Sequence, residues 1–407
     1  MEKEKTILSV FSGREDRMKV LMKYLYKALD LKMIDEVHLW NYIRNPEDFK
    51  YISSISNIMR TSSINYNYSQ VFTNTKNNRA EFRVKASNDI HIMIKTNRFR
   101  NLEYEIVLGG WGNTKSIIRR NGIEIVERIT PGIANPLEFI NIEIIIYEFK
   151  VEIIVDGHVC LTSRMEEPFH IDDVFIKTGH GSVGIYQYET VKNHGIYFMD
   201  TCRKKPWHDY YEHYQMDTYV NDIIIKCDDD IVFLDLNRLP LFIMEARTGN
   251  QDLLFANTIN NGVSAYFQQT DFNVIPRSIG NFEYPPGGLH GSLWESGVKA
   301  ENLHKYFIDN YKSFIQQRYK KRIQIDTRFS INFFAIKGSN WKNIIDVGYD
   351  DELILTITKV RNHGFINVLY SDFYVSHLSF YKQEENQQMN ISELINNYDS
   401  LFNSIHS

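Results

Sequence analysis

Residues 222–235 read DIIIKCDDDIVFLD, an apolar run interrupted by the adjacent carboxylates Asp228, Asp229 and Asp230. Apolar residues on both sides predict a buried central strand of an α/β sheet. Buried neighbouring carboxylates ionise only where a cation or hydrogen-bond donors compensate them. A divalent cation is the simplest compensation, and oxygen ligands of this kind suit Mg²⁺ or Mn²⁺ held together with a substrate's phosphates. The segment predicts a metal site at a strand end, with a solvated acidic loop as the competing interpretation.

The N-terminal residues predict the first unit of the same sheet. Residues 6–11 have a strand pattern, apolar residues then recur at helical spacing, and residues 34–40 have a second strand pattern. Such a βαβ unit implies a parallel sheet with a ligand crevice at the carboxyl ends of its strands. The turn after the first strand, Ser12, Gly13 and Arg14, is expected at that crevice.

The middle of the chain has the pattern of an all-β domain. Apolar and polar residues alternate with period two, as in residues 149–155 (FKVEIIV), and Asp156-Gly157 is typical of a hairpin turn. Many short strands without intervening helices indicate a β-sandwich. Helical periodicity returns afterwards, so the sandwich is expected as an insertion into an α/β domain. The predicted division is 1–62, 63–190 and 191–407.

Composition excludes several classes of function. The chain of 407 residues has a formal net charge of −5, and its longest basic run is Arg203-Lys204-Lys205, so nucleic acid is not expected as a partner. The three cysteines (Cys160, Cys202 and Cys227) form no CxxC pair, which favours a reducing compartment. No apolar run approaches the roughly 18 to 20 residues of a membrane span. We expect a cytoplasmic protein, in the host cytoplasm if it is viral.

Seven segments, in this order, resemble the GT-A glycosyltransferases of large DNA viruses and fungi. They are residues 197–202 (YFMDTC), 227–235 (CDDDIVFLD), 260–263 (NNGV), 291–297 (GSLWESG), 328–334 (RFSINFF), 350–352 (DDE) and 375–383 (VSHLSFYKQ). The resemblance spans most of residues 197–385 and, weakly, 6–60. It implies a Rossmann-like mixed sheet flanked by helices. It also implies transfer of a sugar from a nucleoside-diphosphate donor, of the UDP or GDP type, to a hydroxyl of a glycan acceptor.

The resemblance assigns roles around a metal ion. Asp230 would be the direct ligand, Asp228 would face the donor ribose or the metal's waters, and His377 would be the distal ligand. Asp229 would contact the donor, and Lys382 would add a positive charge near its phosphates. The competing interpretations are a hydrogen-bonded core histidine for His377 and a solvated surface lysine for Lys382.

A carboxylate base is expected in the acidic motif at 350–352. In an inverting GT-A enzyme it removes the acceptor hydroxyl's proton, and Asp351 is the first candidate and Asp350 the second. The competing interpretation is a helix N-terminus, where acidic residues are favoured. A retaining enzyme requires no such base, and the sequence does not indicate whether the reaction inverts or retains the configuration of the sugar.

Sugar-binding roles are expected in two loops. Trp294 would stack on a sugar of the acceptor while Glu295 accepts its hydroxyl hydrogen bonds, although a tryptophan is more often a core residue. Asn260, Asn261 and Gly262 would line the donor sugar pocket, with a simple turn as the alternative.

The inserted domain carries a second resemblance. Residues 105–120 (EIVLGGWGNTKSIIRR) are similar to a domain named farnesoic acid O-methyltransferase-like, over about residues 65–190. No glycine-rich turn enters a helix there, so the segment is not expected to hold S-adenosylmethionine. Carbohydrate binding and a structural spacer remain equal alternatives, with these residues displayed in the first case: Trp111, Asn113, Lys115 and Arg119.

Two classes of function are therefore open for the whole chain. The first is a metal-dependent glycosyltransferase, and the alternative is a non-catalytic glycan-binding protein. A methyltransferase is a third and weaker interpretation.

Overall fold

The computed structural model describes residues 4–56, 58–61, 68–71, 75, 78–96, 102–147, 149–179, 181–188, 195–199, 206–344, 350–385 and 389–406. The end of the YFMDTC motif (200–202, with Cys202) and the basic run 203–205 lie outside these residues. The chain forms two compact units. Unit 1 comprises Met1–His38, Ile43–Asn45 and Tyr210–Ser407, and unit 2 comprises Leu39–Tyr42 and Pro46–Asp209.

The strands follow one another along the described chain with these bounds: β1 (Thr6–Ser12), β2 (Glu36–Asn41), β3 (Ile58–Arg60), β4 (Ser69–Val71), β5 (Arg79–Ala86), β6 (Ile90–Thr96), β7 (Leu102–Gly109), β8 (Lys115–Arg120), β9 (Ile123–Ile129), β10 (Ile140–Tyr147), β11 (Lys150–Val155), β12 (His158–Arg164), β13 (Asp173–Thr178), β14 (Gly184–Tyr188), β15 (Ile196–Met199), β16 (Ile223–Asp228), β17 (Ile231–Leu234), β18 (Leu253–Ile259), β19 (Arg322–Gln324), β20 (Phe333–Lys337) and β21 (Asn367–His377).

The helices have these bounds: α1 (Glu15–Asp30), α2 (Pro46–Ser54), α3 (Gly110–Asn113), α4 (Pro206–His213), α5 (Leu239–Thr248), α6 (Gly262–Thr270), α7 (Ser292–Glu295), α8 (Gly297–Gln316), α9 (Gly338–Trp341), α10 (Asp351–Leu353), α11 (Lys359–His363), α12 (Tyr381–Glu384) and α13 (Ile391–His406). A π-helical segment, Ile354–Thr358, joins α10 to α11. Short 3₁₀ turns lie at Asp217–Tyr219, Arg277–Ile279 and Pro286–Gly288.

Unit 1 is built on a mixed sheet with the strand order β2–β1–β16–β20–β18–β21–β17. β1 and β16 are parallel, whereas β20 runs antiparallel to β16. The predicted βαβ unit is present as β1, α1 and β2, but the sheet that it enters is mixed rather than parallel. Ile223, Ile224 and Ile225 of β16 are at most 1% exposed, because strands pair on both sides and helices cover the faces.

Unit 2 contains two sheets, which confirms the predicted β-sandwich. One has the strand order β12–β11–β10–β5–β14–β3–β15 and the other β4–β13–β6–β7–β8–β9. Their apolar faces are buried, as the alternation in β5 shows: Ala80, Phe82 and Val84 are buried between exposed or half-buried neighbours. The predicted hairpin joins β11 to β12, with φ of 47° at Asp156 and 80° at Gly157.

Two helical predictions are also confirmed in unit 1. The apolar residues with helical spacing after 300 form α8, where Leu303, Phe307 and Phe314 are fully buried. The acidic motif begins α10, and the Asp350 side chain accepts a hydrogen bond from the Leu353 backbone N–H as an N-cap. Among the residues described, none of the helices is both long and apolar enough to cross a membrane.

The aspartate that follows β17 makes folding stability depend on pH. Asp235 is 2% exposed, and its Oδ2 has no hydrogen-bond partner among the described residues. Burial raises the pKa of Asp235 to about 7, although Arg238 acts in the opposite direction. Because the folded-state pKa exceeds the unfolded one, the stabilisation is complete below about pH 4 and is lost as pH rises through 7.

We therefore expect Asp235→Asn to raise the melting temperature more at pH 8.5 than at pH 5. The amide keeps the shape of the protonated carboxyl, and the wild type loses up to about 1.4 kcal/mol per pH unit between about pH 4 and pH 7. Thermal unfolding of both proteins at the two pH values measures the effect, with exposed Asp309→Asn as the control. A difference independent of pH would show that Asp235 is ionised in the fold.

Candidate metal centre

The three adjacent aspartates form the turn between two buried strands. β16 ends at Asp228 and β17 begins at Ile231. Asp229 and Asp230 are each 4% exposed, and Asp228 is half-buried. Because β1 is parallel to β16 and pairs Phe11 with Asp228, the turn after β1 lies against the aspartates. The fold thus buries negative charge that the neighbouring elements must compensate.

Asp230 is surrounded by basic side chains. Arg14 Nη2 and Arg17 Nη1 lie 3.0 and 3.3 Å from Asp230 Oδ2, and His377 Nε2 lies 3.3 Å from Oδ1. Burial alone would raise the pKa of Asp230, but His377, Arg14 and Arg17 outweigh it and lower the pKa. His377 ends β21, and the next backbone N–H, that of Leu378, donates to the Asp230 carbonyl at 2.9 Å. The backbone therefore fixes the imidazole beside the carboxylate.

Asp228, Asp230 and His377 fit a divalent cation. Each offers a ligand atom, and the three atoms lie within 4.8 Å of one another. Asp230 Oδ1 and His377 Nδ1 are buried without a hydrogen-bond partner in the described part of the chain, which is costly unless another group completes the site. Carboxylate oxygens suit Mg²⁺ and Mn²⁺, and an imidazole nitrogen suits transition metals, so the mixed set favours Mn²⁺. The structure brings together the three residues that the sequence indicated as metal ligands.

Asp229 is held by the turn after β1. Its carboxylate accepts hydrogen bonds from Gly13 N–H at 3.0 Å and from Arg14 Nε at 3.1 Å. Burial raises the pKa of Asp229, and the Arg14 hydrogen bond opposes this rise only in part. Ser12 is fully buried, and Gly13 and Arg14 both contact the acidic cluster.

Asp228 has partners that the sequence pattern did not indicate. Lys226 is 2% exposed and donates to Asp228 and, at 2.7 Å, to the Ile331 carbonyl. Asn332 Nδ2 donates to Asp228 Oδ2 at 2.8 Å. The available signal was a lysine inside the apolar run of β16, two residues before Asp228 and so on the same face.

Arg17 is a further residue that sequence reasoning missed. Its side chain is 5% exposed and bridges Asp230 to Glu384, with Nη2 2.8 Å from Glu384 Oε1. Ser379 also donates to Glu384. Arg17 follows Arg14 by three residues at the start of α1, so the two guanidinium groups share one face of the helix.

The two candidate bases occupy different environments. Asp350 is engaged as the N-cap of α10 and in an ion pair with Arg328 Nη2 at 2.8 Å. Asp351 instead accepts a hydrogen bond from the Tyr211 hydroxyl at 3.0 Å. Asp350 therefore caps α10 and pairs with Arg328, whereas the Asp351 carboxylate contacts Tyr211 instead.

The electrostatics of Asp351 link it to the aspartate turn. Burial raises the pKa of Asp351, Lys226 and Tyr211 act to lower it, and the charge of Asp228 adds to the rise. A raised carboxyl pKa moves a group toward the range in which it accepts and releases protons near neutrality.

A small pocket that is open to solvent adjoins the metal-ligand residues through Phe380. Asn261, Trp294, Ser330 and Phe380 are among its lining residues, and the Phe380 ring lies 4.5 Å from the His377 ring. Three residues expected to bind sugar, Asn261, Gly262 and Trp294, are thus brought together. Asn261 also caps α6 by accepting from a backbone N–H, as the turn interpretation requires.

Glu295 and Lys382, which the sequence also placed at the site, are not among the residues that line this pocket. Glu295 is exposed and follows the last lining residue of α7. Lys382 lies on α12 with its side chain 39% exposed, and its ammonium pairs with Glu385 Oε2 at 2.9 Å. The ammonium also lies 5.4 Å from the Tyr381 ring centroid, so these contacts are those of a surface lysine.

We expect Arg17→Met to destabilise the fold by about 3 kcal/mol, because it leaves the buried Asp230 without one of its cations. Lys19→Met is the matched control on the same helix, since Lys19 is 57% exposed and its ion pair with Glu15 lies at the surface. Chemical unfolding of the three proteins measures the difference. Equal stability of the two variants would contradict the assigned role of Arg17.

Millimolar Mn²⁺ should raise the melting temperature of the wild type, because a ligand bound only by the folded state stabilises it. Asp230→Asn should abolish the shift by removing a ligand. The control is Asp217→Asn, whose carboxylate is 92% exposed and pairs with Lys342. A shift retained in Asp230→Asn would place the cation elsewhere.

Comparison with known proteins assigns a family similarity to one domain of the chain. Residues 62–192, about a third of the chain, match the family model described as farnesoic acid O-methyl transferase. This confirms the resemblance indicated by the sequence of the sandwich. No curated protein matches the chain.

Several solved structures match parts of the chain with low TM-scores. A native glycosidic hydrolase is 15% identical over 30% of this chain, with a TM-score of 0.23, and the chain spans 66% of its length. A carbohydrate-binding module from Bacillus subtilis is 9% identical over 27% of this chain and 71% of its own length, with a TM-score of 0.21. Sheep galectin-11 in complex with glycerol is 7% identical over 30% of this chain and 93% of its own length, with a TM-score of 0.20. The chain is a mixed α/β protein with a β-sandwich domain similar to the farnesoic acid O-methyl transferase family.

Proposed function

We propose that the chain transfers a sugar from a nucleoside-diphosphate donor, of the UDP or GDP type, to a hydroxyl of a glycan acceptor, with Mn²⁺ or Mg²⁺ as cofactor. The observation that carries this proposal is the convergence of Asp228, Asp230 and His377 at a strand end. An open pocket with an aromatic wall adjoins them.

The sheet of unit 1 supports a GT-A interpretation. β16 is central, with a parallel neighbour, β1, and an antiparallel one, β20. Its carboxyl end carries the acidic turn, as in the fold that the sequence resembles. Ligands of open α/β sheets bind at such edges.

The donor's diphosphate would lie between the acidic turn and the start of α1. A divalent cation, when bound by Asp228, Asp230 and His377, neutralises charge on the departing nucleoside diphosphate. Arg14 is 43% exposed while it pairs with Asp229 and Asp230, so its guanidinium is accessible to a phosphate. Arg17 is buried and keeps Asp230 oriented.

The acceptor would lie in the adjoining pocket. Trp294 forms part of its wall and is held edge-to-face by His290 at 4.8 Å, which orients the indole for packing on a sugar ring. Asp351 would take the proton of the attacking hydroxyl, because burial has already raised its pKa.

Thermal shifts with nucleoside diphosphates and nucleotide sugars, each with and without Mn²⁺, test this proposal. A metal-dependent shift with one nucleotide identifies the donor and supports glycosyl transfer. No shift with any nucleotide would favour the alternative, a non-catalytic glycan-binding protein.

With the donor identified, Asp351→Asn should lower kcat by about 10²- to 10⁴-fold and leave the Mn²⁺-dependent thermal shift intact. Asp350→Asn is the matched comparison, since it alters the neighbouring carboxylate but leaves Asp351 in place. Steady-state kinetics of both variants separate chemistry from helix stability. An unchanged kcat in Asp351→Asn would exclude it as the base.

A further inference from the structure

One face of the six-stranded sheet in unit 2 carries a hydrogen-bonded group of ionisable side chains. We call this group the polar face and define it by His91 of β6, Glu105 of β7, Arg119 of β8, Lys177 of β13 and Tyr68 beside β4. Strand pairing aligns Lys177 with His91 and Glu105 with Arg119. Their neighbours along the strands, such as Ile92 and Ile106, point into the sandwich core.

Glu105 organises the polar face. One oxygen accepts hydrogen bonds from Tyr68 and from His91 Nδ1 at 2.9 Å, and the other accepts from Arg119 Nη1 at 2.9 Å. Burial raises the pKa of Glu105, but the hydrogen bonds from His91, Tyr68 and Arg119 outweigh it and lower the pKa. Both oxygens are thus occupied by groups of the protein, and Glu105 acts as an internal counter-ion.

Lys177 has no comparable partner. Its ammonium lies 4.3 Å from the Tyr68 ring centroid, and among the described residues it makes no hydrogen bond or ion pair. Burial lowers its pKa, and Glu105 compensates only in part. Two basic side chains, Lys177 and Arg119, therefore face one carboxylate whose oxygens are already hydrogen-bonded. This excess of positive charge is suited to an anionic group.

A fixed aromatic residue lies along the same face. Lys115 lies four residues before Arg119 on β8 and so on the same face, about 13 Å away along the strand. Its ammonium lies 4.0 Å from the Trp111 ring centroid. Trp111 is 48% exposed in a left-handed turn with φ of 53°, a conformation that is strained for a bulky residue. The Asn113 side chain anchors the turn through both the N–H and the carbonyl of Ala134. The indole is thus held in solvent on a rigid loop.

We propose that this face of unit 2 binds an acidic saccharide, with a sugar carboxylate at Lys177 and Arg119 and a more distant ring of the same oligosaccharide packed on Trp111. The site is separate from the donor and metal residues of unit 1 and goes beyond the proposed transfer reaction. A saccharide is favoured over an acidic peptide because an exposed indole beside paired cations offers a flat apolar surface next to an anion site.

The test uses the full chain in EDTA, so that metal-dependent binding in unit 1 does not contribute. Calorimetry is carried out with short oligosaccharides of hyaluronan, polygalacturonate and polysialic acid, and with a neutral cello-oligosaccharide. At least one acidic probe should bind at least about tenfold more tightly than the neutral one. Failure of all three acidic probes, or equal binding of an oligoglutamate peptide, would overturn the proposal.

Matched lysine variants locate the site. Lys177→Met should weaken binding by at least about tenfold. Lys95→Met should change it less than about twofold, because Lys95 lies on the same sheet face and over an aromatic ring but is paired with Glu103 at 2.9 Å. Trp111→Gly relieves the positive φ and should also abolish binding, with the melting temperature confirming the fold. Equal effects of the two lysine variants would contradict the proposal.

Discussion

The structure of unit 1 depends on the burial of three adjacent carboxylates at the end of a central strand. An uncompensated buried carboxylate costs several kcal/mol, so Asp228–Asp230 can stay at this position only if basic groups surround them. Arg14, Arg17, Lys226 and His377 supply those groups. Because Arg14 and Arg17 lie near the N-terminus, the acidic turn requires that segment to pack against residues that follow it by more than 200 positions.

Strand pairing makes that assembly specific. The parallel register of β1 and β16 places Phe11 opposite Asp228, which delivers the Arg14 turn to the acidic cluster. Antiparallel β20 pairs with the other edge of β16 and begins one residue after Asn332. The end of β21 pairs with Ile231, which fixes His377 beside Asp230. A shift of one residue in any of these pairings would turn the basic group to the opposite face of the sheet.

Local sequence patterns predict part of the fold and part of the acidic site. The apolar run with its aspartates, the βαβ unit, the Asp156-Gly157 hairpin and the N-cap at Asp350 each depend on neighbouring residues. Arg17, Glu384 and Asn332 were not predictable in the same way, since their contacts join residues 367 and 104 positions apart and leave no periodic signal. The choice between Asp350 and Asp351 likewise depends on Arg328 and Tyr211, which only the fold brings near. In unit 2, the alternation of apolar and polar residues predicts a β-sandwich. It does not show which charged side chain on the polar face is left without an ion pair.

The charge balance of the centre has a consequence for how ligands enter it. Four carboxylates (Asp228, Asp229, Asp230 and Glu384) already face three permanent cations (Arg14, Arg17 and Lys226), with His377 as a neutral ligand or a fourth cation. A divalent cation alone would add positive charge to a nearly balanced site, and a diphosphate alone would add negative charge. The two together add little net charge, and the accessible Arg14 can exchange a carboxylate for a phosphate oxygen. The arrangement therefore favours joint binding of metal and diphosphate over binding of either one alone.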